Sequence, residues 1–146
     1  MKVRAFLADA AEVREGLLFI LGGAWYHTGP LPTPFAIAGV IEVGWDEANR
    51  PHTAEFVIED VDGNPLLVPT PMGEQPFRLS TPFEVGRPPG SPAGTTLNLP
   101  IAIAIPPLPW AAGRHYVLIV RVDDAELDRV RFAVRQAATA PAPPQS

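Results

Sequence analysis

The amino-acid sequence predicts an all-β fold in which two sheets pack face to face, and three observations carry the prediction. Apolar and polar residues alternate at the two-residue period of a strand in several short runs, most cleanly where Ala54, Phe56 and Ile58 interleave with Glu55 and Glu59. Glycine and proline, 12 and 19 of the 146 residues, punctuate the chain between those runs. No segment carries a convincing helical period. About eight short strands separated by turn signals are the pattern of a two-sheet sandwich.

Val3 to Ala8 reads as the first strand, with Ala11 to Glu15 and Gly16 as the connection to a second, Leu17 to Trp25. That second run, LLFILGGAW, is apolar throughout, so both of its faces are expected to be covered by other parts of the chain. Gly29-Pro30 with Pro32 and Pro34 closes it off. In Phe35 to Val43, the large Phe35, Ile37, Ile41 and Val43 share one face and the small Ala36 and Ala38 the other. Gly44 to Pro51 is a corner in which Asp46 is placed to cap one helical turn that Pro51 stops. Thr53 to Glu59 is a half-exposed strand, and Asp62-Gly63-Asn64-Pro65 turns it into Leu66 to Val68 as a hairpin.

Phe77 to Val85 is a further strand, pushed to an edge or a bulge because Pro76 and Pro82 remove ladder donors. GRPPGSPAG, Gly86 to Gly94, is a surface loop. Leu97, Leu99, Ile101, Ile103 and Ile105 then share a face, with Pro100 on the other side marking an edge strand or bulge. After Pro106 to Trp110 comes a final hairpin across Asp123-Asp124. Tyr116, Leu118, Val120 and Val122 point one way on its first strand, as do Val130, Phe132 and Val134 on its second, with Arg129, Arg131 and Arg135 outward. The step from Gly113 to Tyr116 resembles the tyrosine corner of immunoglobulin-like and fibronectin-like sandwiches, whose Tyr hydroxyl bonds to the upstream backbone. An immunoglobulin/fibronectin-like sandwich is therefore the expected architecture; the strand count also allows a closed β-barrel. Residues 1–136 form one domain, and residues 137–146, AATAPAPPQS, read as a disordered tail.

Composition narrows the function classes. A net charge of −5 with no basic patch speaks against nucleic acid as a partner. The absence of cysteine removes disulfides, thiolate nucleophiles and cysteine-based zinc sites. Leu17 to Trp25 is far short of the ~20 apolar residues of a membrane helix, and Ala5 to Ala8 is too short for the core of a signal peptide. A cytoplasmic protein without a membrane partner or a cofactor is the expectation.

The segments LADAAEVREGLLFILGGAWYHTGP (Leu7 to Pro30), WDEANRPH (Trp45 to His52) and FEVGRPPGSPAGT (Phe83 to Thr95) together resemble an uncharacterised bacterial family of small proteins, classed as a domain of unknown function. The resemblance spans nearly everything before the tail. It implies a bacterial, stand-alone small domain and assigns no activity to any residue.

Candidate chemistry is thin. His27, His52 and His115 are distant in sequence and form no paired metal motif, so no metal site is predicted. Asp60, Asp62, Gly63 and Asn64 begin like a calcium loop, but Pro71 stands where an EF-hand needs its bidentate Glu. A hairpin turn accounts for the same residues. Ser80, Ser91 and Ser146 lie in no Gly-x-Ser-x-Gly elbow, and Glu42, Glu55 and Glu59 read as outward acids of exposed strand faces. No catalytic residue is assigned.

The binding candidates are two aromatic and polar loop clusters: Trp25, Tyr26 and His27 in one, and Trp45, Asp46, Asn49, Arg50 and His52 in the other. Tryptophan and arginine dominate contact hot spots, and loops are where binding is usually sited. The leading expectation is a non-enzymatic binding or assembly module that acts through protein contacts, self-association included. Its rivals are a small carbohydrate-binding protein or hydrolase using the loop aromatics and nearby acids, and a structural subunit of a larger particle. The sequence points to no particular small-molecule ligand.

Overall fold

The computed structural model describes residues 1–137, and those residues form an all-β structure. Its strands are β1 (Lys2–Arg14), β2 (Leu17–Gly23), β3 (His27–Thr28), β4 (Phe35–Val43), β5 (His52–Asp60), β6 (Leu67–Thr70), β7 (Gly73–Pro76), β8 (Arg78–Phe83), β9 (Leu97–Ile105), β10 (His115–Val122) and β11 (Ala125–Val134). Eleven strands among the described residues replace the eight or so expected: the short β3 and β7 carry too few residues to show a period, and β6, expected as Leu66 to Val68, pairs with β7 instead of β5. One sheet has the order β2-β1-β4-β9, a second β3-β11-β10-β5-β8, and β6 with β7 forms a separate hairpin. The predicted tail lies, beyond Ala137, outside the described residues.

Local chemistry explains the best-ordered turns. Asp123 and Asp124 both take left-handed backbone (φ 49° and 69°), the two-residue connection whose twist matches that of the strands it joins. At the end of β5, Asp60 Oδ1 accepts from the N–H groups of Asp62 and Asn64 at 2.9 and 3.0 Å, and Gly63 takes φ 81°. The corner after β4 holds a single 3-10 turn, Trp45–Glu47. Asp46 is not its cap: the capping position is Gly44, whose N–H donates to Glu47 Oε1 at 3.0 Å.

The inward faces are those the alternation implied. Leu7, Ile37 and Ile41 from the first sheet meet Phe56, Ile58, Leu118 and Val120 from the second in one core, each at most 1% exposed. On one side the sheets approach closely, since the Ala5 N–H of β1 donates to Asp128 Oδ2 of β11 at 2.8 Å. On the other side the outer strands β8 and β9 stay apart. A mostly apolar cleft of about 430 Å³ opens between them, lined by Leu79, Phe83, Leu99, Ile101 and Ile103. Pro82 and Pro100, which cannot donate to a ladder, sit on these two strands.

The largest departure from expectation is β2. Leu17, Phe19, Ile20 and Leu21 are 63%, 50%, 40% and 71% exposed, so neither face of this strand is covered as its apolar run implied. The reason lies in β1, which does not end at Ala8. Residues read as a connection, Ala11 to Arg14, continue the strand and pair with Ile20 to Leu17, while β4 accompanies β1 only as far as Ala8 opposite Ala36. The far half of the β1–β2 hairpin therefore runs past the strand that would have flanked it. It bends back alongside β9, which both strands approach without pairing.

Candidate functional site: an exposed apolar hairpin beside an open cleft

The two loop clusters singled out in the sequence lie at opposite ends of β4, a nine-residue strand roughly 30 Å long. They do not form one site. At the first end, Trp25 packs edge-on to Phe35 and Phe132 with ring centroids 5.9 and 5.8 Å away, and Trp110 completes that aromatic group. Its ring closes the end of the core. Tyr26 is 71% exposed and edge-on to His27, and its carbonyl accepts from Ala133 N–H at 2.9 Å. His27 and His115 flank Ala133 from the strands on either side of it, whereas His52 lies at the far end.

At that far end, His52 is buried and stacks on Phe83. Its Nδ1 lies 2.6 Å from Asp123 Oδ2 and its Nε2 2.8 Å from the Glu47 carbonyl oxygen. Both partners only accept, so the arrangement suits the doubly protonated ring, in which both nitrogens donate. The Asp123 carboxylate, then the Glu47 carbonyl, raise the affinity of His52 for its proton; the same contact lowers the Asp123 pKa. Asp123 Oδ1 also accepts from Thr53 N–H at 3.0 Å. A histidine with both nitrogens occupied has no free lone pair to offer a ligand, so it acts as a clamp between the corner and the β10–β11 turn.

The remaining members of this cluster are similarly engaged or simply exposed. Arg87 lies 4.5 Å over the Trp45 ring and donates to its carbonyl from Nε and Nη2 at 3.1 and 2.6 Å, tying the 86–94 loop to the corner. Asn49 holds φ 58°, and its N–H donates to the Val85 carbonyl at 2.8 Å. Asp46 and Arg50 face solvent. Of the acids considered for catalysis, Glu42 is matched to Arg4 on one sheet and Glu55 to Arg78 and Arg121 on the other.

What the structure leaves without a partner is the apolar hairpin. The β1–β2 register puts Leu17, Phe19 and Leu21 on one face beside Arg14, Glu12 and Ala10; Leu18 and Ile20 share the other with Val13 and Ala11. Val13, 42% exposed, also lines the cleft between β8 and β9. The face that carries Val13 thus extends the apolar surface of the cleft, and Leu17, Phe19 and Leu21 form a second exposed apolar row on the opposite face. Sequence reasoning missed it, although a signal was present: Glu12 and Arg14 alternate with apolar residues on β1, which marks the hairpin as facing water.

An all-β chain with a sheet-edge hairpin of this kind is what the geometry defines. The chain belongs to the Family of unknown function (DUF6941), whose sequence model matches residues 3–135, as the three motif segments suggested. Neither a curated protein nor a solved structure matches it. No helix among the described residues is long and apolar enough to cross a membrane.

Proposed function

We propose that this chain is a non-enzymatic binding module, an immunoglobulin-like sandwich that works through protein contacts made by the β1–β2 hairpin and the adjoining cleft. One observation carries the reading. Val13, Leu17, Phe19, Ile20 and Leu21 are each 40% to 71% exposed, Leu17, Phe19 and Leu21 on one face of the hairpin and Val13 and Ile20 on the other. Contiguous apolar patches larger than a few hundred Å² are rare on soluble monomers and mark contact sites. The sandwich assignment is supported by Tyr116, whose hydroxyl accepts from Ala111 N–H at 2.8 Å in the manner of a tyrosine corner.

Hydroxyl-radical footprinting tests the reading. Phe19 and Leu21 should react less in concentrated protein, or with extract of the producing cell added, than in dilute purified protein. Met72, 89% exposed on the β6–β7 hairpin, serves as the internal control. Reactivity at Phe19 and Leu21 that tracks Met72 under every condition would remove the proposal.

A further inference from the structure

Resting on that reading, we infer that the occupant of the hairpin is a second copy of this chain, joined by antiparallel pairing of β2 with β2 about a two-fold axis centred on Phe19. The first argument is the selective protection of sheet edges. Unpaired strand edges invite pairing, and proteins blunt them with proline, charge or shortness. β8 and β9 carry Pro82 and Pro100, and β3 is two residues long and followed by Pro30, Pro32 and Pro34. β2 ends its sheet with seven residues, LLFILGG, that hold neither a proline nor a charge.

The second argument is self-complementarity. A two-fold centred on Phe19 sets Phe19 against its own copy, Leu17 against Leu21, and Leu18 against Ile20, so every large side chain of the strand meets another on the same face. Centring on Ile20 instead places Leu17 and Leu18 opposite Gly23 and Gly22. The pairing consumes both free edges, so the assembly closes at two. The exposed hairpin side chains amount to on the order of 400 Å² of apolar surface, enough to mark a contact. That is about half of the ~800 Å² per partner of a stable complex; the β2 backbone and the cleft beside Val13 supply further surface. Residues 138–146 are a poorer occupant, because Pro141, Pro143 and Pro144 withhold ladder donors.

The chain has no cysteine, so single-cysteine variants report the register directly. Two thiols facing each other across the axis have an effective concentration far above the bulk, so Phe19→Cys should form a disulfide-linked dimer at least ~10-fold faster than Leu17→Cys or Leu21→Cys alone. A mixture of the latter two should cross-link. Light scattering of the unmodified chain should give twice 15.7 kDa. A monomeric mass at high micromolar concentration, or Phe19→Cys coupling no faster than Leu17→Cys, overturns the two-fold. Maleimide labelling of Phe19→Cys then separates the two readings. A thiol shielded in intact cells but free on the purified monomer means that another protein covers the hairpin, so the second copy falls and the binding surface stands. A thiol free in both removes both.

Discussion

His52 and Asp123, 71 residues apart, meet with Nδ1 and Oδ2 at 2.6 Å and join the start of β5 to the turn between β10 and β11. The raised pKa of His52 means that the contact stabilises the fold fully below the ordinary value of 6.5 and is lost as pH climbs through the raised one. The lowered pKa of Asp123 adds stability above 3.8 that is lost as pH falls through the depressed value. The pair is therefore at full strength between those two values. Asp123→Asn keeps a side chain suited to left-handed backbone and removes the charge. It should cost about 1 kcal/mol near pH 6, at the low end for a charged hydrogen bond because Asp123 is half exposed. Urea denaturation from about pH 5 to 9 reads the result: an alkaline decline as steep in the variant as in the parent chain would show that His52 is not its source.

Tyr116 is buried and its hydroxyl serves the Ala111 N–H across the loop that precedes β10. Tyr116→Phe keeps the ring, which stacks on Phe132, and removes only the acceptor. The expected loss is about 1 kcal/mol, or roughly 2–5 °C in Tm for a domain of this size. A melting temperature unchanged in calorimetry would mean that water replaces the hydroxyl without cost.

Gly39 lies opposite Ala5 where β4 and β1 come unusually close. A Cβ added there would sit 2.2 Å from the Arg4 carbonyl oxygen, which is backbone and has no room to retreat. Gly39→Ala should cost ~3 kcal/mol or more, the scale of an overpacked core. Gly63→Ala is the comparison, because a Cβ there meets open space and the penalty comes from φ 81° alone, about 1 kcal/mol. Equal losses in the two variants, measured by chemical denaturation, would contradict the close approach.

Arg87 should matter more to loop order than to global stability. Arg87→Ala is expected to change stability by less than ~1 kcal/mol while speeding amide exchange through residues 86–94. Arg87→Lys should rescue little, since a lysine cannot stack flat on Trp45 while making two bonds to its carbonyl. Exchange rates in the loop that match the parent chain would show that its prolines, not Arg87, hold it.

The strands legible in the sequence were those with one covered face and one wet face. β5 shows the alternation plainly because Glu55 and Glu59 interrupt Phe56 and Ile58. β11 is legible only from Val130, because its first half mixes Glu126 and Asp128 with apolar residues, and its pairing shifts register at Val120 and Arg121. The exposure of β2 is illegible for a different reason: an unbroken apolar run looks the same whether its own chain covers it or not. Of the candidate site, the two loop clusters are legible as groups of residues, but not their placement at opposite ends of β4. Nor is the bond between His52 and Asp123, since only the folded topology brings two residues so distant into contact.

The bond between Ala5 and Asp128 joins residues 123 apart, and this orders events during synthesis. The β1–β2 hairpin is complete within the first 23 residues and forms on the microsecond scale of local structure. β4 closes the opposite edge of β1 within the first 43 residues, but the second sheet is complete only once β11 has left the ribosome, and such long-range closure is the slow step of β-rich folding. A nascent chain must therefore carry its most adhesive segment, already shaped, through most of its own translation, which makes this protein a demanding client for the chaperones that meet it at the exit tunnel.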